Sequence, residues 1–345
     1  MIQIISKTLY ILNDDIYLSI QGDCLLLKQE DKERLRLPLN AIEQIIIIGN
    51  AVVSNYLVKA CSDSQIIISY LNPYGNFIGR FCGKSSGNVF IRKQQYSLYD
   101  NETESLKLMK NIILAKFLNC ANLLKYYSRF TKEMDEADQL YKTSQKILEQ
   151  SKNIKNMFTL DDLRGLEGAI SSLYFKSFDL LLKTKDSDMK FETRSKHPPL
   201  NNCNALLSLF YTLLTMNVTA GLESFGLDSQ LGYMHRMRSG RASLSCDIIE
   251  EFRAPIVDKF VIKLINLSQI TSNDFEKAED GIKLKKDSLS KVLKLWEAYK
   301  DEEVYHPLFK KNIKIRLLPY IQSQLFAQFI RGDIESYPPF YYKLS

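Results

Sequence analysis

Three short segments carry side chains whose types and spacing suit phosphodiester chemistry. The first is Leu163-Arg164-Gly165-Leu166-Glu167-Gly168, a carboxylate between two glycines in an otherwise helical run. Glycine inside a helix costs about 1 kcal/mol relative to alanine. Two of them around Glu167 make sense if another backbone or a ligand must approach closely. The second is Gly232-Tyr233-Met234-His235-Arg236-Met237-Arg238-Ser239-Gly240-Arg241. His235 is one of only 3 histidines, and no acid lies between Asp228 and Asp247. Arg236, Arg238 and Arg241 form a basic strip of the kind that tracks phosphates. The third runs from Ser243 to Arg253, where Asp247, Glu250 and Glu251 fall at i, i+3 and i+4. A regular helix would put all three on one face, where like charges repel unless a cation sits among them.

Each segment alone has a plainer explanation. Glu167 could be a solvated helix residue, the basic strip an ordinary surface loop, and Asp247-x-x-Glu250 a capping box at a helix start. Taken together, a glutamate, a histidine and a carboxylate on separate elements could form a divalent site with mixed oxygen and nitrogen ligands. Carboxylates suit Mg²⁺ or Mn²⁺, and an imidazole shifts the preference toward Mn²⁺. A basic strip beside such a site points to a phosphodiester substrate. Spacing alone does not bring the three together.

The rest of the chain must supply elements that do. Its 345 residues make about two domains, and 45% hydrophobic with 25% charged residues is an ordinary globular balance. Collagen-like, disulfide-scaffold and wholly disordered classes are excluded. Lys and Arg number 46 against 40 Asp and Glu, a net +6 that is compatible with nucleic acid without arguing for it. The 6 cysteines are scattered with no C-x-x-C pair, so a reducing, cytoplasmic location is expected. The best membrane candidate, residues 205–216, is far short of the roughly 20 apolar residues a span needs. It reads as a buried core helix, and no membrane association is expected.

Up to about residue 90 the hydrophobic pattern has period 2 or is fully apolar. Strands are expected at 9–12, 16–20, 25–28, 34–37, 45–48, 66–70 and 77–81, with a helix at 54–62 and a turn at 72–75. Beyond Asn88 the period becomes 3.6. Leu106, Met109, Ile112, Ile113, Phe117 and Leu118 mark one face of a long helix. Further helices are expected at 140–148, 161–182, 204–215, 245–265 and 320–331, with one hairpin at 274–284 and a mobile polar loop at 183–197. The expected fold is α+β: a small N-terminal β domain (1–90), then a larger all-α domain (91–345) with one hairpin insertion.

At these residues the chain resembles the CRISPR-associated spacer-acquisition integrases, the Cas-one family. Leu163-Arg-Gly-Leu-Glu167-Gly resembles the family's L-R-G-x-E-G segment. His197-Pro-Pro-Leu with Asn204-Ala-Leu-Leu-Ser resembles its P-P…N-A-L-L-S segment. Gly226-Leu-Asp228, Gly232-Tyr-Met-His235, Arg238-x-Gly240-Arg241-x-Ser243-Leu and Asp247-x-x-Glu250-Glu251-Phe-Arg253 follow its long signature in order. Ser229 and Ser239 stand where the family usually has proline. Thr8-Leu-Tyr10 and the tail Gln328 to Phe340 are similar to the subtype I-C branch.

The resemblance implies an N-terminal β domain that dimerises and a helical catalytic domain. It implies Mg²⁺ or Mn²⁺ held by Glu167, His235 and Glu250, with Asp247 a possible additional carboxylate and Asn204 near the site. The implied activity is that of a metal-dependent endonuclease and integrase. It inserts captured foreign DNA into a CRISPR array by 3′-OH attack on repeat-end phosphodiesters, with Arg236, Arg238 and Arg241 holding double-stranded DNA. The implied partner is a small ferredoxin-like protein of the Cas-two family, in a heterohexamer of two homodimers around one partner dimer. A non-catalytic DNA-binding scaffold with a decayed site is the main alternative, and a structural metal-binding domain the other.

Overall fold

The structure is a computed structural model that describes residues 2–5, 8–30, 32–72, 77–81, 83, 89–195, 198–278 and 281–342. The expected turn at 72–75 falls outside these residues from Pro73 onward, as does His197. The first elements are β1 (Ile2–Ile5), β2 (Thr8–Ile11), β3 (Ile16–Gln21), β4 (Cys24–Gln29) and β5 (Lys32–Pro38). After them come β6 (Gln44–Ile48), β7 (Ala51–Val53), α1 (Asn55–Asp63), β8 (Ile67–Leu71) and β9 (Phe77–Phe81).

They make a five-stranded sheet in the order β1-β2-β6-β8-β9 and a four-stranded sheet in the order β5-β4-β3-β7. The sequence dictates which strand is central. Gln44-Ile-Ile-Ile-Ile is buried throughout and pairs in parallel with β2 and β8, as a strand covered on both faces must be apolar. In β3, Ile16 and Leu18 face in while Tyr17 faces out. α1 starts where the Ser54 hydroxyl accepts from the Leu57 N–H at 3.3 Å. Leu57 and Cys61 then enter the core with Leu9, Leu18, Leu25, Ile45 and Ile68.

The helical part follows as α2 (Val89–Asp100), α3 (Glu102–Ser128), α4 (Met134–Ser151), α5 (Leu160–Lys176) and α6 (Asn202–Ser224). Asn101 caps α3 and Asn201 caps α6 through their side-chain oxygens. α6 is long and apolar enough to cross a membrane, but 78% of its most apolar stretch is buried inside the protein. It is the expected core helix, extended at both ends.

Then come α7 (Ser243–Ile248), a 3₁₀ turn at Ile249–Glu251, a π-helical turn at Arg253–Asp258, and α8 (Lys259–Asn266). These stand where the sequence pattern predicts helix over 245–265, with Pro255 either kinking it or opening a second helix. Pro255 has no N–H to donate, and the backbone around it widens into the π turn. The chain continues with the hairpin β10 (Phe275–Ala278)–β11 (Gly281–Leu284), α9 (Lys286–Lys300), a second hairpin β12 (Glu303–His306)–β13 (Lys311–Lys314), and α10 (Leu318–Arg331). The second hairpin is not among the elements expected from the sequence, which places one hairpin only, at 274–284.

Two compact units result: Met1–Ser86 with Asn273–Ala298, and Gly87–Ser272 with Tyr299–Ser345. Residues 273–298 thus belong with the β unit, although the sequence places them beyond a boundary at residue 90. The Tyr10 hydroxyl donates to Glu297 at 2.5 Å inside that unit. The polar segment after α5 is not a mobile loop over its described residues. Met189 and Phe191 are buried. Asn204 accepts from the Arg194 guanidinium at 2.8 Å and donates to the Thr193 carbonyl at 2.7 Å. Asn204 is therefore a clip for this segment.

Candidate functional site

The site lies in the helical unit and is built by α3, α5, the loop before α7, and the irregular turns after α7. α5 opens with a reciprocal capping box between Thr159 and Asp162. Leu163, Ile170 and Tyr174 are its buried residues, and Glu167 shares their face at helical spacing. Glu167 is thereby turned inward, 23% exposed. Its carboxylate accepts from the Ser171 hydroxyl at 2.7 Å and pairs with the Lys116 ammonium.

His235 is placed by Asp247. The Asp247 carboxylate accepts from the backbone N–H groups of Tyr233 (2.6 Å), Met234 (3.2 Å) and His235 (3.0 Å). It also accepts from the His235 Nδ1–H at 2.6 Å. With Nδ1 committed to a carboxylate, Nε2 keeps its lone pair for another partner. Gly232 lets this loop close. A Cβ there would stand 2.6 Å from the Ser243 Cβ and 2.8 Å from the His235 carbonyl oxygen. Arg164 ties α5 to the same loop by donating to the Met234 carbonyl at 2.8 Å.

Glu250 sits on the 3₁₀ turn, 4% exposed, with one oxygen 3.0 Å from Arg253 Nε and 3.9 Å from His235 Nε2. The other oxygen is 2.7 Å from Lys116 Nζ and has no hydrogen bond of good geometry. Burial acts to raise the Glu250 pKa, but Arg253, Lys116 and His235 bring it down to about 2. Burial likewise opposes ionisation of Glu167, and Lys116 more than offsets it, so the carboxyl is held below its ordinary value. Lys116 is itself buried, yet Glu250 and Glu167 hold its pKa above the usual lysine range.

Glu167, His235 and Glu250 therefore line one cavity of about 450 Å³, together with Lys116, Tyr211 and Arg253. Between Glu167 and Glu250 stands an ammonium. Among the described residues no three His, Cys, Asp or Glu side chains are drawn into a metal-ligating cluster. The donor set still fits a divalent cation in kind: two carboxylates and a free imidazole nitrogen, one carboxylate oxygen buried with no hydrogen bond.

Asp247, Glu250 and Glu251 do not all share a face. Asp247 and Glu250 meet the two nitrogens of the His235 ring, because the 3₁₀ turn after Ile248 brings i and i+3 into line, and the same turn swings Glu251 away. Glu251 accepts from the Tyr337 hydroxyl (2.7 Å), the Gln322 amide (3.1 Å) and the Phe340 N–H (2.8 Å). Burial pushes its pKa up to about 7 against those bonds. Asp247 lies inside α7, whose N-cap is Ala242, so the capping-box explanation does not hold.

Arg236 and Arg238 are exposed on the His235 loop, and Arg241 is half-buried. Arg253, the last residue of the third motif, stacks its guanidinium 4.7 Å over the Tyr211 ring. Two further residues of the cavity carry no clear mark in the motifs, Lys116 and Asp258. The Asp258 carboxyl is buried against the Tyr174 and Tyr211 hydroxyls, and burial pushes its pKa up to about 6. Lys116 does leave one signal, a cation where the apolar stripe of α3 demands a hydrophobe.

Known proteins match both the chain and its fold. The family model described as CRISPR associated protein Cas1 matches residues 9–298. The CRISPR-associated endonuclease Cas1 1 of Chlorobaculum tepidum is 33% identical over 338 residues, covering 98% of each chain. In structure, a casposase bound to integration product superposes with a TM-score of 0.84 at 21% identity, over 98% of this chain and 95% of that one. A Cas6-RT-Cas1–Cas2 complex gives 0.83 at 22% identity, over 100% of this chain and 37% of that chain. The fold class is thus a β unit followed along the chain by a largely helical domain, shared with these structures. Within it, the chain belongs to the CRISPR-associated Cas1 family.

Proposed function

We propose that this chain is a divalent-metal-dependent DNA integrase and endonuclease. It joins captured DNA to a CRISPR array through 3′-OH attack on repeat-end phosphodiesters, and water in place of the 3′-OH gives cleavage. The observation that carries this reading is the convergence of Glu167, His235 and Glu250, from three separate elements, on one cavity beside an arginine-rich loop. Those three residues would hold Mg²⁺ or Mn²⁺. When bound, the ion neutralises charge on the scissile phosphate and lowers the pKa of the attacking oxygen.

The chain's own residues do the rest. Asp247 fixes the His235 ring with Nε2 free. Arg236, Arg238 and Arg241 hold the DNA backbone, which positions the substrate without reading its sequence. The exposed glycines of α5 leave the outer face of the helix open to that backbone.

We place the protein in the cytoplasm, in the subtype I-C branch, as a homodimer through its β unit. Tyr17 and Val52 are register partners on β3 and the edge strand β7. Both are exposed, at 45% and 61%, and Tyr56 at 80%. An apolar surface at a sheet edge favours a second copy. A Cas2-type partner joins two such dimers, in line with the named complex of the structural neighbour.

The test is strand transfer by the purified protein with Mn²⁺, Mg²⁺ or EDTA. Joining should require the metal, and Glu167→Gln and His235→Asn should abolish it while DNA binding persists. Joining that survives EDTA, or survives both substitutions, would overturn the proposal. DNA binding without any joining would favour the scaffold alternative.

A further inference from the structure

Lys116 is 8% exposed, on a helix whose other inward residues include Met109, Ile112, Ile113 and Phe117. A buried ammonium needs a counter-charge. Here it meets two, bridging Glu167 to Glu250 at 2.7 Å from the latter. Arg253 engages the opposite oxygen of Glu250 at 3.0 Å. Two carboxylates and two cations leave the cluster neutral with no metal present. Lys116 takes one oxygen of each carboxylate in the cavity that His235 also lines, and a divalent ion held there would add two charges to a buried neutral set. The two occupants compete for the same carboxylates and oppose each other in charge. Of the two side-chain cations, Arg253 is stacked on Tyr211 and fixed. Lys116 has a flexible four-carbon stem and is the one able to move.

We propose that Lys116 is a resident counter-ion of the metal site: its ammonium holds Glu167 and Glu250 together in the metal-free protein and must be displaced for a divalent cation to bind. The inference rests on the metal reading given above. Its consequence is a site that folds fully formed without metal but binds the ion weakly on its own. Once displaced, the ammonium needs a new anion in the cavity, and a DNA phosphate supplies one. Metal and DNA should therefore each strengthen the binding of the other by the same factor.

The experiment compares the full-length protein with Lys116→Met, using Mn²⁺ binding followed by electron paramagnetic resonance and thermal melting with and without Mn²⁺. Lys116→Met should bind Mn²⁺ at least tenfold more tightly than wild type without DNA. Its metal-free melting temperature should fall, and saturating Mn²⁺ should restore it. Wild type should gain Mn²⁺ affinity when DNA is added, and the variant should gain much less. Adding Glu167→Gln to Lys116→Met removes the excess carboxylate, so the double variant should recover metal-free stability without tight Mn²⁺ binding. Equal or weaker Mn²⁺ binding by Lys116→Met, with wild type binding normally, overturns the inference and leaves the metal reading intact. So does a Lys116→Met protein that Mn²⁺ fails to restore but Glu167→Gln does restore. Absence of Mn²⁺ binding by both wild type and variant overturns both.

Discussion

The glycines on either side of Glu167 allow a prediction whose sign differs between structure and ligand. Gly165 and Gly168 lie in the interior of α5, are exposed, and among the described residues would meet nothing within 4 Å if each gained a Cβ. Packing within the described residues therefore makes no use of either glycine. Replacing a helix-interior glycine by alanine should then stabilise by roughly 0.5–1 kcal/mol. The pair should gain about 1–2 kcal/mol, a rise in melting temperature of roughly 2–8 °C for a unit of some 200 residues. Gly221 in α6 is the matched control. A Cβ there would stand 2.7 Å from Ser323 Oγ and 3.0 Å from the Pro319 carbonyl of α10. Overpacking of that kind costs about 1–3 kcal/mol, so Gly221→Ala should destabilise. Differential scanning calorimetry reads all three variants, and strand transfer reads the same samples. The α5 variants should be more stable and less active, because their methyl groups fill the face left open for the DNA backbone. A fall in melting temperature for Gly165→Ala or Gly168→Ala would refute the packing argument, and unchanged strand transfer would refute the close approach of DNA.

Other substitutions follow from the charges. Glu250→Ala leaves Lys116 and Arg253 buried without their shared carboxylate, so it should destabilise by about 3–5 kcal/mol in denaturant melts. Like-charge repulsion along one helix face would have predicted a gain; a gain would mean that the two cations do not sit where the structure places them. Arg238→Ala and Arg241→Ala should weaken binding to all DNA sequences alike and flatten the salt dependence, measured by fluorescence anisotropy across salt. A loss confined to one DNA sequence would contradict this. For pH, the folded protein binds more protons at Asp258 than the unfolded chain between its ordinary pKa of 3.8 and about 6. That group therefore makes stability fall as pH rises through this window. In Asp258→Asn the Tyr174 and Tyr211 hydroxyls can rotate to meet the amide, so this part of the slope should vanish. Parallel melting-temperature profiles for variant and wild type from pH 4 to 7 would refute the assignment.

Much of the fold is legible in the sequence because its signals are local. Alternation puts Ile16 and Leu18 inside, the isoleucine run marks β6 as central, and Ser54 announces α1. The departures have physical causes. The helix expected over 245–265 breaks because a proline within an apolar helical pattern does not say whether the chain kinks, widens or stops. Residues 273–298 fold with the β unit because their partners, such as Tyr10 for Glu297, lie far away in sequence. No period records a contact of that separation. The polar segment after residue 183 has the composition of a mobile loop because, among its described residues, only Met189 and Phe191 are buried, and the Asn204 clip is invisible without coordinates.

The site is legible for a different reason. Glu167, His235 and Glu250 stand out through incongruity: glutamate between helix glycines, histidine in an acid-free basic strip, carboxylates crowded at helical spacing. Lys116 is incongruous in a quieter way, a lone cation one residue before Phe117 on a face of Met109, Ile112 and Ile113. It belongs to no polar cluster, and a single lysine in an apolar stripe draws no motif around it. The acids mislead in the opposite direction. Asp247, Glu250 and Glu251 resemble one cluster because their spacing assumes an unbroken α-helix. The 3₁₀ turn keeps Asp247 and Glu250 on the two nitrogens of the His235 ring and swings Glu251 away to anchor the C-terminal segment. A single irregular turn thus separates two carboxylates that meet one histidine from a third that holds the fold. Of the two oxygens of Glu250, one meets Arg253 and the other Lys116.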